Sequence, residues 1–254
     1  MDGVLYAAGG SIAGAVEAVQ WMRGQRLPHL FVTNTSSRPR AALAEKLLSF
    51  GFPATESQIL TPVAVAADWL RASAMRDIAL FVPPPAQSEF AGLPCLPDDA
   101  ESDASCVVIG DLGQGWDYRT LNRAFRLLHH NPQATLIALG MSRYWLADDG
   151  ISLDVAPFVV ALEHAAGRKA IVFGKPAADF FRAAAGKLGL PAERVLMVGD
   201  DVETDIGGAQ SAGLRAALVK TGKFRPADLE GPVQPDLVLD SIAELPNWWT
   251  TAML

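Results

Sequence analysis

The feature that most constrains the fold of this chain is the alternation of short apolar runs with helical patterns from end to end. The predicted strands lie at 30–32, 78–82, 106–109, 135–139, 170–173, 195–198 and 216–219. The predicted helices lie at 16–22, 37–50, 118–129, 157–166, 177–188 and 205–212. Strands that alternate with helices favour a largely parallel sheet covered on both faces. The sequence therefore predicts an α/β fold with a doubly wound, Rossmann-like parallel sheet.

The middle of the chain carries the strongest signals of a domain boundary. Three consecutive prolines begin at Pro83, and the stretch 92–103 is rich in proline and acidic residues. Such segments are typical of irregular surface structure. The 254 residues, half of them hydrophobic, suffice for one core and a smaller module. We expect residues 1–75 and 156–254 to form the core domain and 76–155 an inserted α/β module.

Composition narrows the classes of partner. The formal net charge is −7 and no basic block occurs, which argues against a nucleic-acid partner. No apolar stretch is long enough for a signal peptide or a membrane span, so we expect a cytoplasmic protein without a membrane partner. The GxGxxG and GxxxxGK[ST] motifs of nucleotide-binding loops are absent. Trp248 and Trp249 are a packing feature or a homodimer contact, and the sequence leaves the oligomeric state open.

Four polar signatures occur where predicted strands end or should end. They are Asp2-Gly3 at the start, Thr33-Asn34 after 30–32, Gly174-Lys175-Pro176 after 170–173, and Gly199-Asp200-Asp201 with Asp205 after 195–198. The carboxyl ends of parallel strands line the crevice in which open α/β sheets bind their ligands. Each signature alone also has an ordinary interpretation, as a turn, a helix cap, a solvated lysine or a set of loop acids. Their joint order favours a single site.

This order resembles that of the haloacid dehalogenase (HAD) superfamily, and the resemblance covers essentially the whole chain. It is closest to the subfamily with a type IIA cap, an α/β cap domain inserted between the second and third motifs. The stretches at 107–111, 118–128 and 137–145 are similar to the branch that contains phospholysine phosphohistidine inorganic pyrophosphate phosphatase. The module at 76–155 corresponds to that cap.

The resemblance implies a Mg²⁺-dependent phosphatase. Asp200 matches the position of a magnesium ligand. Asp205 matches an outer ligand or a group that orients the site, and the backbone carbonyl of Asp2 matches a further ligand. The Asp2 side chain matches the general acid and base that protonates the leaving group and then activates water. Asp201 occupies a position at which the identity of the residue varies in such loops, and its role is left open.

The resemblance also implies a phosphate site. Thr33, through its hydroxyl, and Asn34, through its backbone N–H, would donate to the phosphoryl group, and Lys175 would neutralise its charge. Magnesium would relieve the repulsion between a carboxylate nucleophile and a phosphate dianion. In the cap, Arg143, Tyr144 and Trp145 are candidates for selecting a small phosphorylated substrate, although an ordinary surface loop explains them equally well.

The chain departs from the family pattern at its start. The family's nucleophile is the first Asp of a DxD motif, and its position falls immediately before Met1. Either the start is mis-assigned and an apolar strand ending in Asp precedes Met1, or the protein is a truncated relative. We favour the first explanation because the other motifs remain chemically complete. The alternative function is a catalytically inactive metal- and phosphate-binding or oligomeric protein.

Overall fold

The computed structural model describes residues 1–7, 10–147 and 150–252 of the 254. Its contacts divide the chain into two compact units. The first unit comprises Met1–Thr33, Arg40–Leu60 and Lys175–Leu254, and the second comprises Asn34–Pro39 and Thr61–Gly174. These bounds differ from the predicted boundaries at 75/76 and 155/156, and the assignment of 76–155 as a cap stays a prediction. Among the described residues, no helix is both long and apolar enough to cross a bilayer.

The elements alternate along the chain. The strands are β1 Tyr6–Ala7, β2 Gly10–Ser11, β3 Phe31–Val32, β4 Ile59–Leu60, β5 Ile78–Phe81, β6 Cys106–Ile109, β7 Thr135–Ala138, β8 Tyr144–Ala147, β9 Gly150–Leu153, β10 Ile171–Val172, β11 Leu196–Gly199, β12 Arg215–Val219 and β13 Leu237–Leu239. The α-helices are α1 Ala15–Gly24, α2 Arg40–Ser49, α3 Pro62–Ala72, α4 Pro84–Gln87, α5 Tyr118–His130, α6 Ala156–Ala166, α7 Ala178–Leu188, α8 Gly208–Ser211 and α9 Leu245–Ala252.

The first unit contains two parallel sheets and one short hairpin. Strand β3 pairs with β4, and β11, β12 and β13 follow one another in the second sheet. Strands β1 and β2 form the antiparallel hairpin. Buried side chains of α1 and α2, such as Val19 and Leu47, pack with Phe31 of β3 in one apolar cluster. A second cluster packs Phe181 of α7 against β11 and β12. Thr33 directly follows β3 of the first sheet, and Asp200 directly follows β11 of the second, so both polar signatures lie at the carboxyl ends of strands.

The second unit contains a four-stranded parallel sheet in the order β10-β7-β6-β5. Its central strand β6 is completely buried, and α5 and α6 pack on the sheet through Leu127, Leu128 and Val159. An antiparallel hairpin of β8 and β9 follows the sheet. Because every pair in the two larger sheets is parallel, the predicted α/β class is confirmed.

Several elements lie outside the predicted ranges, namely β1, β2, β4, β8, β9 and β13 and the helices α3, α4 and α9. Helix α3 was not predicted; its first six residues, a run of proline, valine and alanine, are all buried. Thr61 nevertheless caps it by accepting a hydrogen bond from the Ala64 N–H at 3.1 Å. The helix predicted over 205–212 was placed too late: a π-helical turn begins at Val202, and α8 continues from it. The side chain of Asp201 starts that turn by accepting hydrogen bonds from the N–H groups of Glu203 and Thr204.

Candidate active site

The carboxyl end of β11 brings two acids together. A Cβ atom on Gly199, the last residue of the strand, would overlap with the side chain of Asp205, so this position requires glycine. The close approach lets Asp205 Oδ2 accept a hydrogen bond from the Asp200 N–H at 3.3 Å. Asp200 and Asp205 are both buried, with 7% and 3% of their surfaces exposed, respectively. The π-helical turn therefore places two carboxyl groups side by side at the end of the strand.

Lys175 forms a buried ion pair with one of these acids. Its Nζ atom donates to Asp205 Oδ1 at 2.6 Å, and the two side chains are only 10% and 5% exposed. A charge taken out of water needs such a partner, because desolvation costs several kcal/mol per ion. The pair fixes the ammonium group of Lys175 next to the end of β11.

We expect Lys175→Met to destabilise the protein by about 3–5 kcal/mol, because it leaves the buried Asp205 carboxylate without its partner. Lys220→Met is the matched control, because Lys220 forms an exposed ion pair with Asp240, and it should leave the stability nearly unchanged. Urea denaturation of the three proteins measures the difference. Equal losses in the two variants would show that the Lys175 pair is not buried in solution.

The carboxyl group of Asp200 lies in a narrow polar cradle. Its Oδ2 atom accepts a hydrogen bond from the Lys223 N–H at 2.9 Å. A Cβ atom on Gly3 or Gly222 would overlap with the same carboxyl group, and both glycines have positive φ angles, of 72° and 68°. Burial raises the pKa of Asp200 above its ordinary value of 3.8, and the neighbouring Asp205 raises it further. Both effects disfavour the charged form of the Asp200 side chain.

This raised pKa makes a stability prediction with a defined sign. Between pH 3.8 and the raised value, the folded protein holds more protons than the unfolded chain, so its stability falls as the pH rises through that window. We expect Asp200→Asn to raise the melting temperature at pH 7 with a chelator present. The gain should be on the order of 2–4 °C for each kcal/mol relieved, and it should shrink as the pH falls towards 3.8. A pH-independent difference between variant and wild type would contradict this prediction.

The first residue of the chain lies at the end of β3. The Met1 nitrogen donates to the carbonyl oxygen of Val32 at 3.3 Å. Asp2 follows it and forms a bridge to Tyr6, while the N–H of Gly3 donates to the Tyr6 carbonyl at 2.8 Å. The Asp2 side chain is exposed. The first signature is therefore a tight turn whose carboxyl group faces water.

The Met1 α-amino group lies within the electrostatic reach of the other signatures. Burial lowers its pKa from 8.0 to about 6, and the charge of Lys175 adds to the lowering. The carboxylates of Asp205, Asp200 and Asp2 oppose that shift. Residues from three distant parts of the sequence thus act electrostatically on one nitrogen atom.

The second signature is split between the two units. Thr33 directly follows β3, and its N–H donates to the carbonyl of Leu60 at 3.2 Å, which extends the β3–β4 pairing. Asn34 belongs to the second unit. Arg143 and Tyr144 also belong to the second unit; both are exposed, with the Arg143 guanidinium carbon 5.8 Å from the centre of the Tyr144 ring. The side chain of Trp145 lies outside the described residues.

Comparison with known proteins identifies the family. The chain is 40% identical over 249 residues to phospholysine phosphohistidine inorganic pyrophosphate phosphatase from Homo sapiens, with 96% of this chain and 90% of that protein covered. The model of the Haloacid dehalogenase-like hydrolase family matches residues 1–93, and a HAD-hydrolase-like model matches residues 172–245. This chain belongs to the haloacid dehalogenase-like hydrolases. The predicted HAD-type phosphatase is therefore confirmed at the level of the family.

Solved structures of HAD phosphatases share the fold. The 4-nitrophenylphosphatase of Thermotoga maritima superposes with a TM-score of 0.87 at 27% identity, covering 97% of this chain and 94% of that one. The glycerol phosphate phosphatase of Mycobacterium tuberculosis, solved in complex with calcium, superposes with a TM-score of 0.81 at 27% identity, covering 96% and 72%. The predicted HAD core is confirmed by these similarities.

The donor set of this HAD chain suits a hard divalent cation. Asp200 and Asp205 supply carboxylate oxygens at one strand end, and hard cations prefer oxygen ligands. A Cβ atom at Gly3 or Gly222 would overlap with the Asp200 carboxyl group. The two glycines therefore leave room beside that carboxyl group. Within the described ranges, no three side chains of His, Cys, Asp or Glu cluster as a complete metal site. Backbone carbonyls, a substrate or water must complete any coordination shell.

One part of this site was missed in the sequence. Thr221, Gly222 and Lys223 follow β12, and the Thr221 hydroxyl donates to the Gly3 carbonyl at 2.5 Å. The Lys223 side chain donates to Asp201 Oδ2 at 3.1 Å. The available signal was a polar, glycine-containing turn directly after a parallel strand, which is the rule that identified the other four signatures.

Proposed function

We propose that this chain provides the active site of a Mg²⁺-dependent phosphatase that acts through an aspartyl-phosphate intermediate. Its substrates are small phosphate esters, phospho-amino acids or pyrophosphate. In a chain extended by an aspartate at the Met1 nitrogen, that aspartate would supply the nucleophilic carboxylate. The proposal applies the family's chemistry to the residues that surround the end of β11.

The observation that carries this proposal is the convergence of charges around Met1. The buried pair of Lys175 and Asp205, the buried Asp200 and the turn at Asp2 all act on the α-amino group of that residue. Buried titratable groups with specific charge partners cluster at functional sites more often than elsewhere. A residue joined to this nitrogen would bring its own side chain among these groups.

The first chemical step would transfer the phosphoryl group to the enzyme. A carboxylate oxygen of the aspartate before Met1 forms a bond to phosphorus, and the bond from phosphorus to the leaving oxygen breaks. Asp2 gives its proton to that leaving oxygen. The ammonium group of Lys175, held by Asp205, stabilises the negative charge of the phosphoryl oxygens, and Thr33 and the Asn34 N–H donate hydrogen bonds to them.

The second step would regenerate the enzyme. Water attacks the phosphorus atom of the aspartyl-phosphate and gives its proton to Asp2. The bond between phosphorus and the aspartate oxygen breaks, which releases inorganic phosphate and restores the carboxylate. Asp2 can serve both steps, because the carboxylate that remains after the first proton transfer is the base that the second step needs.

Asp200, Asp205 and the backbone carbonyl of Asp2 would hold the magnesium ion. When bound, the ion supplies positive charge that reduces the repulsion between the attacking carboxylate and the phosphate dianion. The raised pKa of Asp200 supports this assignment, because a buried carboxylate next to a second one favours an added cation.

The substrate class is proposed from relatives and from exposed side chains. The curated relatives act, by name, on phospholysine, phosphohistidine and inorganic pyrophosphate. Arg143 and Tyr144 are exposed and offer a cation and an aromatic ring to a small phosphorylated molecule. These two residues are our candidates for substrate selection.

Calorimetry can test the shared site without any turnover. We expect Mg²⁺ and inorganic phosphate to bind cooperatively, with each raising the affinity for the other about 5- to 150-fold, because each supplies charge that the other needs. Asp200→Asn should abolish the magnesium heat and the cooperativity. The test uses the chain that begins at Met1, so it does not depend on the nucleophile.

Asp179→Asn is the matched control, because this aspartate is exposed on α7 and forms a surface ion pair with Arg182. It should leave both affinities unchanged. Independent binding of the two ions, or a magnesium affinity that Asp200→Asn does not change, would contradict the proposed site. Cooperative binding without turnover in any extended form would favour the alternative of a binding protein.

A further inference from the structure

Asp201 is the one acid of the signature after β11 to which the proposed chemistry gives no part. It directly follows Asp200, and 22% of its side chain is exposed. Its Oδ1 atom accepts hydrogen bonds from the N–H groups of Glu203 at 3.2 Å and Thr204 at 2.9 Å, and its Oδ2 atom accepts one from Lys223 Nζ at 3.1 Å. Because both oxygens are engaged, Asp201 fits a structural partner of its neighbours better than a metal ligand.

The first oxygen caps the π-helical turn over Val202–Gly207. The first N–H groups of a helical segment have no partner within it, and an aspartate directly before the segment supplies one. The backbone carbonyl of Asp201 holds the turn as well, since it accepts from the N–H groups of Asp205 at 2.9 Å and Ile206 at 3.2 Å. Four consecutive N–H groups, from Glu203 onwards, therefore bind to one residue.

The turn is too short to fix its own conformation. It spans six residues, and α8 adds only four more. Isolated helices shorter than about 12–15 residues are marginal in water, so the conformation of such a segment depends on its cap and its packing. The packing is tight where the side chain of Asp205 lies against Gly199. The cap at Asp201 and the contact at Gly199 together determine where the Asp205 carboxyl group lies.

The position of Asp205 matters because it contacts two other groups of the site. Its Oδ1 atom accepts from Lys175 Nζ at 2.6 Å, and its Oδ2 atom accepts from the Asp200 N–H at 3.3 Å. A shift of the turn by about 1 Å away from the end of β11 would lengthen both contacts beyond hydrogen-bond distance. The assembled site thus depends on a turn that Asp201 caps.

The second oxygen of Asp201 connects the same turn to the loop after β12. Lys223 belongs to that loop, and while its Nζ atom donates to Asp201, its backbone N–H donates to Asp200 Oδ2 at 2.9 Å. Asp201 is therefore linked to Asp205 through the turn and to Asp200 through Lys223. One side chain is connected to both acids that are proposed to hold the magnesium ion.

We propose that Asp201 is a positioning residue, which holds Asp205 against Asp200 and Lys175 and does not itself bind the metal. Partners that orient metal ligands typically change metal affinity about 10- to 100-fold when they are lost. The consequence for magnesium rests on the proposed function. The placement of Asp205 rests on the hydrogen bonds of the turn alone.

Amide hydrogen exchange of the ligand-free chain tests the placement. Asp201→Ala should speed exchange at Asp200 and Asp205 at least about tenfold relative to the amides of β12, because the turn loses its cap. Asp201→Asn should keep the wild-type ratio, because asparagine caps as well as aspartate. Asp117→Ala is the matched control, since Asp117 caps α5 by accepting from the Thr120 N–H at 2.7 Å, and it should also keep the ratio. An unchanged ratio in Asp201→Ala would overturn the proposal.

Calorimetry tests the consequence for the metal. With saturating inorganic phosphate, Asp201→Ala should bind Mg²⁺ about 10- to 100-fold more weakly than Asp201→Asn. The two variants lack the same charge, and only asparagine keeps the cap. Asp117→Ala should bind Mg²⁺ like the wild type, although it also loses a helix cap. Equally weak binding by the two Asp201 variants would show that Asp201 is a ligand or acts by its charge alone, and would overturn the proposal.

The role of Asp201 and the proposed function fail in different ways. Faster exchange in Asp201→Ala, with no Mg²⁺ binding by the wild-type chain, would support the placement of Asp205 and contradict the magnesium site. Cooperative binding of Mg²⁺ and phosphate that is equal in Asp201→Ala and Asp201→Asn would support the phosphatase site and overturn the role of Asp201.

Discussion

A chain that carries an apolar segment ending in aspartate before Met1 is expected to hydrolyse p-nitrophenyl phosphate about 10⁴-fold or more faster than the chain that begins at Met1. Removing the nucleophile of a covalent mechanism costs rates of this order. The chain that begins at Met1 has Lys175, Asp200 and Asp205 in contact with one another but no carboxylate joined to the Met1 nitrogen, on which their charges act. Steady-state assays with saturating magnesium measure the ratio.

Two variants make this prediction specific. The segment that ends in asparagine should be as inactive as the chain that begins at Met1, because it carries the same apolar residues but no nucleophilic carboxylate. Asp200→Ala in the active form should return the rate to that level. Turnover by the chain that begins at Met1, sensitive to Asp200→Ala, would instead show that a residue within the chain serves as the nucleophile.

The extended chain is also expected to be much more stable. Each large apolar side chain that the segment buries should contribute about 1.5–3 kcal/mol. The total stability of a domain is on the order of 5–15 kcal/mol. Burial of several such side chains should therefore raise the free energy of unfolding by an amount comparable to the whole.

Urea denaturation of the two chains measures that difference. The midpoint should rise strongly with the apolar segment and little with a matched segment of serine and glycine. The asparagine form should match the aspartate form in stability, which separates packing from chemistry. Equal midpoints for the apolar and polar forms would show that the core closes without the segment.

Much of the fold followed from local pattern. The apolar runs at 106–109 and 135–139 lie within one or two residues of β6 and β7, since buried parallel strands read as continuous β-branched runs. Helix α5 has a strongly one-sided apolar pattern and an aspartate cap, and its predicted range differs by one residue from the observed one. Such elements are predictable from the sequence because the spacing of their apolar residues follows from which side of the element is buried.

Other elements depend on contacts that no local pattern records. Helix α3 is buried over most of its length, and β8 and β9 pair with each other as a hairpin. The π-helical turn at Val202 depends on the close approach of Asp205 to Gly199.

Part of the candidate site was likewise predictable from the sequence, and part was not. The rule that ligands bind at the carboxyl ends of parallel strands predicted Lys175, Asp200 and Asp205, and the structure places the three side by side. The same rule was not applied to the turn after β12, so Lys223 was missed. The roles of Thr33, Asn34, Arg143 and Tyr144 stay predictions, as do the cap boundaries.

The most direct test of the account is the location of the phosphoryl group during turnover. The extended chain is mixed briefly with a phosphate ester and magnesium, quenched in acid and reduced with borohydride, which converts an aspartyl-phosphate to homoserine. The account predicts that mass spectrometry of the peptides finds this conversion at the residue directly before Met1 and nowhere else. Conversion at Asp2, Asp200 or Asp205, or turnover without any converted residue, would contradict it.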